Sequence, residues 1–240
     1  MNAAGHCHDL VRVGARDRYL ASLFAPDNKR RMLLALYAFD LEIARIAHAV
    51  SDPHIGLIRQ QWWLDTLDGI YGGSVPAHPV AEELARAISI STLPMHALRA
   101  LVTAREFDLY GDPMPNLQAL ETYLGETSSA VIQLASVILA GEEARPSAAA
   151  AGLAGVALGL ARLIHEEPPR HLPPGMEKAD AKAHAHRRLG EARAIAATIP
   201  ADAMPAFLPA SLAELYLAKA EPSQFRRQIR LWMAARRNKF

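Results

Sequence analysis

A single cysteine, Cys7, stands in 240 residues, so no disulfide framework holds this chain and a reducing compartment suits it. Neither sign of charge is in excess: Lys and Arg number 26, Asp and Glu 25, for a formal net charge of +1. No global field therefore marks the chain for nucleic acid. Long apolar runs are also missing. The longest, Ala130 to Ala140 and Ala148 to Ala161, fall short of the roughly 20 residues that span a bilayer. The opening MNAAGHCHDLVRVGARDR has no apolar stretch of the secretory kind. No low-complexity linker divides the chain, and no segment alternates apolar and polar residues as a half-buried strand does. The expectation is an all-α, cytoplasmic protein, with residues 1–15 a loose N-terminal arm and residues 16–240 one domain.

What is present centres on Arg30 to Val50, RRMLLALYAFDLEIARIAHAV, which is apolar almost all the way round and reads as a helix buried on most sides. Each polar residue in such a helix needs a reason, because an unpaired buried polar group costs about 1–3 kcal/mol. Helical spacing puts Tyr37, Asp40, Ala44 and His48 on one strip with Arg45 at its edge, the expected wall of an internal cavity. The next helix, Ile55 to Tyr71, carries the tandem Trp62-Trp63. Adjacent residues cannot face the same way, so one Trp is expected in the core and the other at a contact surface.

Two later segments are informative. In Ser147 to Glu167, Gly152, Gly155 and Gly159 share a stripe that Arg162 and Glu166 continue. Glycine costs about 1 kcal/mol against alanine inside a helix, so three on one face ask for close backbone approach or for room beside a ligand. At the end, Pro222 to Phe240 gathers Phe225, Ile229, Trp232 and Met233 on one side, among Arg226, Arg227, Arg230, Arg236, Arg237 and Lys239 with no acidic residue. Such a segment reads as a contact with a membrane surface or an acidic partner, or as a docked last helix with solvated arginines. Trp62, Trp63, Arg226, Arg230, Trp232 and Arg236 are the contact candidates.

RYLASLF, ALYAFDLEIARI and IGLIRQQWW, with the later GVALGLARLIHEEPPRHLPP, resemble the squalene/phytoene synthase family from about Arg16 onward. The resemblance implies a terpenoid-synthase-like helical bundle around a central cavity. Active members join two prenyl diphosphates using Mg²⁺ held by two Asp-rich motifs on facing helices. The chemistry requires them: the leaving diphosphate carries several negative charges, and carboxylate-held Mg²⁺ neutralises it as an allylic cation forms.

This chain departs from that pattern. Where the family's first motif has DDxxD stand Ala44, Arg45, Ile46, Ala47 and His48, and where the second has its acidic pair stand His165, Glu166 and Glu167 followed by prolines. Asp40 and Glu166 alone do not rebuild a metal cluster, so no catalytic residue, no metal site and no cofactor are expected, Mg²⁺ entering only if the chain were an enzyme with altered motifs. A narrower resemblance, in AFDLEIARI, VSDPHIGLIRQQWW and HPVAEEL, is to the eroded branch of the family that serves mitochondrial complex I assembly. It implies a bacterial relative that assists assembly of the NADH:quinone oxidoreductase, with a complex I subunit as partner and a peripheral place on the inner face of the membrane. The alternatives are a prenyl transferase of unfamiliar arrangement or a carrier of a prenyl or quinone lipid. Tyr37, Asp40, Ala44, Arg45, His48, Gly155, Gly159, Arg162 and Glu166 are the residues expected along its cavity.

Overall fold

The computed structural model describes residues 2–165, 171–218 and 221–240, and these are helices and their connections with no strand among them. They form two compact units, Met1–Tyr110 and Gly111–Phe240.

The first unit opens with α1 (Ala3–Gly14), where a loose arm was expected. The Asn2 side chain accepts from Gly5 N at 2.8 Å and caps the helix, the face carrying Cys7 and Val11 is buried, and α1 packs on α3 and α5. Ala3, Ala4, Cys7, Leu10 and Val11 recur at helical spacing, so the helix was legible in the pattern although the segment is short. Burial, and next the Glu83 carboxylate, push the Cys7 thiol up to about 12, so it is an inert core residue and not a thiolate ligand.

After α2 (Arg16–Ser22) comes α3 (Asp27–Arg45), in which every residue from Met32 to Asp40 is buried. Each large apolar side chain so enclosed contributes about 1.5–3 kcal/mol, and Leu33, Leu36, Phe39 and Ile43 are such groups. The helix is shorter at its C-terminal end than the periodicity predicts, because the chain leaves the α ladder at Ile46. Then α4 (Pro53–Tyr71), capped by Asp52 accepting from His54 N at 2.9 Å, buries Gly56, Gln60, Trp63, Leu67 and Ile70. α5 (Pro79–Ser91) is clamped to α3 by a two-pronged Arg31–Glu83 pair at 2.6 Å on each prong. α6 (Met95–Ala104) packs on α4 and runs into a 3₁₀ turn, Arg105–Leu109.

The second unit is a helical run through α7 (Leu117–Leu124), a π turn Gly125–Ser129, α8 (Ala130–Ala140), a 3₁₀ segment Gly141–Ser147 and α9 (Ala148–Leu163). An 18-residue window of this run is apolar enough to cross a membrane, but 61% of it is buried inside the fold, as in a core helix. α10 (Lys178–Ala194), α11 (Met204–Phe207), α12 (Ala213–Ala218) and α13 (Gln224–Arg237) complete the unit, with α10 lying along α9.

The glycine stripe on α9 has a packing cause. A Cβ on Gly155 would fall 2.5 Å from the Ser129 backbone nitrogen, nearer than real Cβ atoms come, while Ser129 Oγ donates to Gly152 O at 2.8 Å. A Cβ on Gly159 would meet Leu124 Cδ2 at 2.5 Å and Ser128 Oγ at 3.0 Å. The π turn is thus seated on the α9 backbone. Substituting alanine at Gly155 forces backbone apart and should cost several kcal/mol, about 2–4 by analogy with overpacked cores. At Gly159 the loss should be smaller, since a leucine terminus can move. At Gly152, where nothing lies within 4 Å, alanine should stabilise by up to about 1 kcal/mol. Urea unfolding of the three variants checks this order.

Candidate functional site

Asp40 is 3% exposed in the middle of the most enclosed helix. Both its oxygens are taken: Oδ2 accepts from Arg18 Nη1 of α2, and Oδ1 from Arg105 Nη2 of the 3₁₀ turn at 3.3 Å. Arg105 also pairs with Asp108 at 3.4 Å. Burial alone would push the Asp40 carboxyl up, but the two guanidinium charges and their hydrogen bonds outweigh it and hold the group below the usual carboxylate range. Arg18 lies over the Tyr37 ring at 5.5 Å. Burial pushes the Tyr37 phenol up to about 12, against the pull of Arg18, so Tyr37 is a neutral hydroxyl throughout the physiological range.

The rest of the strip is less enclosed. Ala44 is half-buried, Arg45 is exposed, and His48 lies beyond the helix end and is exposed. The helical course persists briefly past Arg45, Ala49 N bonding Arg45 O at 3.0 Å, and Arg45 and His48 are exposed because this end of α3 reaches the surface. Arg45 instead lines an open pocket of about 340 Å³ with Glu42, Ile46 and Ala49, closed on the other side by Arg59, Trp62, Trp63 and His78. Trp63 is buried edge-on against Phe39 at 5.2 Å, and Trp62, 41% exposed, stands edge-on against Trp63 at 4.9 Å.

In the second unit, Gly155 and Gly159 face the π turn rather than open space, which corrects their expected place on a cavity wall. Arg162 is exposed, with its guanidinium over the Tyr216 ring at 5.5 Å. Glu166 lies outside the described residues. A further cluster had no signal in the sequence. The buried His184 on α10 holds Glu121 of α7 at 2.6 Å, Arg188 grips the same carboxylate at 2.6 and 3.0 Å, and the Arg188 contacts come first among the causes that hold Glu121 below its usual range. Only its i,i+4 companion His184–Arg188 was visible in the sequence, and the distant glutamate was not.

α13 shows two faces. Leu231 and Ala234 are buried, and Arg230 is tied to Ser211 O at 3.1 Å and to the Glu214 carboxylate. Opposite, Phe225 is 70%, Ile229 39% and Trp232 52% exposed, with Arg236 over the Trp232 ring at 5.4 Å. Arg230 is therefore a structural residue, and the exposed basic set is Arg226, Arg236, Arg237 and Lys239.

Mg²⁺ of the synthase kind does not fit the residues described. Asp40 has both oxygens committed to guanidinium groups, the adjoining positions supply no carboxylate, and Arg45 brings positive charge where an ion cluster would sit. Among the described residues no group of three or more His, Cys, Asp or Glu side chains converges on one point.

A sequence model of the squalene/phytoene synthase family matches residues 11–169. Among curated relatives, NADH dehydrogenase (ubiquinone) complex I, assembly factor 6 of Bos taurus is 31% identical, covering 92% of this chain and 74% of the relative. The Homo sapiens protein of the same name is 30% identical with the same coverage. Of solved structures, squalene synthase HpnC from Alicyclobacillus acidocaldarius aligns with a TM-score of 0.69 at 18% identity, over 99% of this chain and 95% of that one. A dehydrosqualene synthase aligns with a TM-score of 0.74 at 15% identity, over 98% and 96%. These likenesses show the all-α terpenoid-synthase-like fold.

Asp40→Asn should destabilise the protein by about 3–5 kcal/mol at neutral pH, because it strands buried cations. The folded-state pKa of Asp40 is depressed, so its contribution is complete above the unfolded value of about 3.9 and is lost as pH falls below it towards the folded value. Urea midpoints of the wild type and variant should therefore differ at pH 7 and converge in acid below about pH 4.

Proposed function

The chain belongs to the squalene/phytoene synthase family, and on that premise we propose that it is a non-catalytic member that assists assembly of the respiratory NADH:quinone oxidoreductase. The observation that carries the reading is the state of Asp40. The carboxylate nearest the eroded first motif is consumed by two arginines, and the face that would hold a diphosphate–metal cluster carries Arg45 and His48 instead. The fold is kept while the groups that do its chemistry are replaced. The relatives at 30–31% identity that share it bear the name of an assembly factor of that complex. The partner in this reading is a complex I component.

The place of work is the inner face of the membrane, reached through α13. Its exposed Phe225, Ile229 and Trp232 are spaced to enter the headgroup region, and Arg226, Arg236, Arg237 and Lys239 flank them with no carboxylate between Pro222 and Phe240. The buried Leu231 and the Arg230–Glu214 pair hold the helix so that this face stays outward.

A strain lacking the protein should lose most of its assembled complex I on a native gel, with recovery on re-expression; an unchanged complex content would sink the assembly reading. Purified protein given farnesyl diphosphate and Mg²⁺ should release no diphosphate above a boiled control, and clear turnover would remove the non-catalytic part. Reversing Arg226, Arg236 and Arg237 to Glu should weaken sedimentation with phosphatidylglycerol vesicles by about two orders of magnitude, at about 1 kcal/mol per arginine. Equal sedimentation of variant and wild type would remove the membrane contact.

A further inference from the structure

α4 is apolar on two faces. Its inner seam is satisfied in the fold, but Ile55 is 46%, Ile58 70% and Trp62 41% exposed, and their spacing of three and four residues puts them side by side on the outer face. Three large apolar side chains in a row facing solvent mark a contact surface more often than chance. Trp62 is also held in place, edge-on to Trp63 and to His78 at 5.3 Å, so a partner would meet a ring whose freedom is already spent. Beside it opens the pocket of about 340 Å³.

Two positive charges beside this face are uncommitted. Arg59, between Ile58 and Trp62, makes no hydrogen bond or ion pair among the described residues, and neither does Arg45, whose guanidinium rests over Gly14. Three other arginines of this unit are engaged: Arg31 with Glu83, Arg30 with Asp27 and Arg99 with Asp68. Of the nearby carboxylates, Asp65 is held by Gln61 at 2.7 Å, and Glu42 is the one that lines the pocket. Trp and Arg flanking a concavity are the residue types that dominate binding energy at protein interfaces.

We propose that this face of α4 and its pocket dock an acidic amphipathic helix of a partner protein, with apolar anchors on Ile55, Ile58 and Trp62 and carboxylates on Arg45 and Arg59. The occupant is a protein and not a bilayer, because a helix can set its carboxylates opposite Arg45 and Arg59 and keep them clear of Glu42 and Asp65, which a continuous anionic surface cannot do. The assignment rests on the assembly reading only in taking the occupant to be a partner protein.

The test uses the full chain and two fluorescein-labelled peptides of about 18 residues, long enough to hold a helix, with the same leucine spacing and either Glu or Lys at the polar positions. Fluorescence anisotropy should show the Glu peptide binding at least about tenfold tighter than the Lys peptide. Trp62→Ala should weaken the Glu peptide by a similar factor with the unfolding temperature unchanged, and Arg45→Glu with Arg59→Glu should invert the preference between peptides. Equal affinity for both peptides, no binding of either, or indifference to these substitutions would overturn the proposal, as would displacement of the Glu peptide by phosphatidylglycerol vesicles. Complex I content in the deletion strain reports separately on the assembly reading: an unchanged content with charge-selective docking sinks that reading alone, and a lost content with no docking sinks this one alone.

Discussion

The first unit depends on the pairing of Asp40 with Arg18 and Arg105. A helix whose residues from Met32 to Asp40 are all enclosed cannot hold a lone carboxylate, since an ion taken out of water costs several kcal/mol. The two guanidiniums come from α2 and from the turn after α6, so compensating one charge fixes where two other elements meet α3. An apolar cluster of the same volume would serve stability as well. What the ions add is register: Arg18 and Arg105 converge on one buried carboxylate, Arg18 spreading over Tyr37 and Arg105 also reaching Asp108.

That same pairing sets the chemistry. Metal-assisted ionisation of a diphosphate needs carboxylate oxygens with free lone pairs, set a helical turn apart and facing open space. Asp40 offers neither free oxygens nor open space, and the next turn supplies Ala44, Arg45 and His48. The charge balance of the region is the inverse of a metal-binding one: a carboxylate already neutralised and a further cation at the surface. The second unit reaches rigidity by other means, seating a π turn on the glycine stripe of α9 and joining α7 to α10 through Glu121, His184 and Arg188.

Much of this was legible in the sequence, and the failures have definite causes. The all-α class and the enclosed centre of α3 follow from apolar periodicity, and the split of Trp62 from Trp63 follows from the helical step. The family was readable because RYLASLF and IGLIRQQWW keep their order and spacing. The first helix was missed although Ala3, Ala4, Cys7, Leu10 and Val11 recur at helical spacing, because three of the five are small or weakly apolar. Within the cavity strip Tyr37 and Asp40 are enclosed while Arg45 and His48 are exposed, a difference that helical spacing alone does not encode. Arg18 and Arg105 were invisible as partners of Asp40 because an ion pair across 65 residues leaves no mark on local pattern. Gly155 was ambiguous in principle: close packing and an open groove both select glycine, and only the position of Ser129 decides between them.

The two exposed apolar stripes follow from a shared mechanical condition. A helix can keep hydrophobic side chains in water only if its other face is anchored well enough that it cannot roll to bury them. On α4 the inner positions are already filled by Trp63, Leu67 and Ile70, and Trp62 is propped on its neighbour's ring. On α13 the anchor is Leu231 with the Arg230–Glu214 pair. Given that, the surrounding charge separates the two proposed roles. A continuous anionic surface tolerates no carboxylate beneath it, and α13 has none; a folded partner can place a positive group opposite Glu42 and a negative one opposite Arg59, and α4 presents both signs. With Asp40 committed to two arginines α3 is scaffold, and the exposed apolar side chains lie on the outer faces of α4 and α13, helices that the fold holds still.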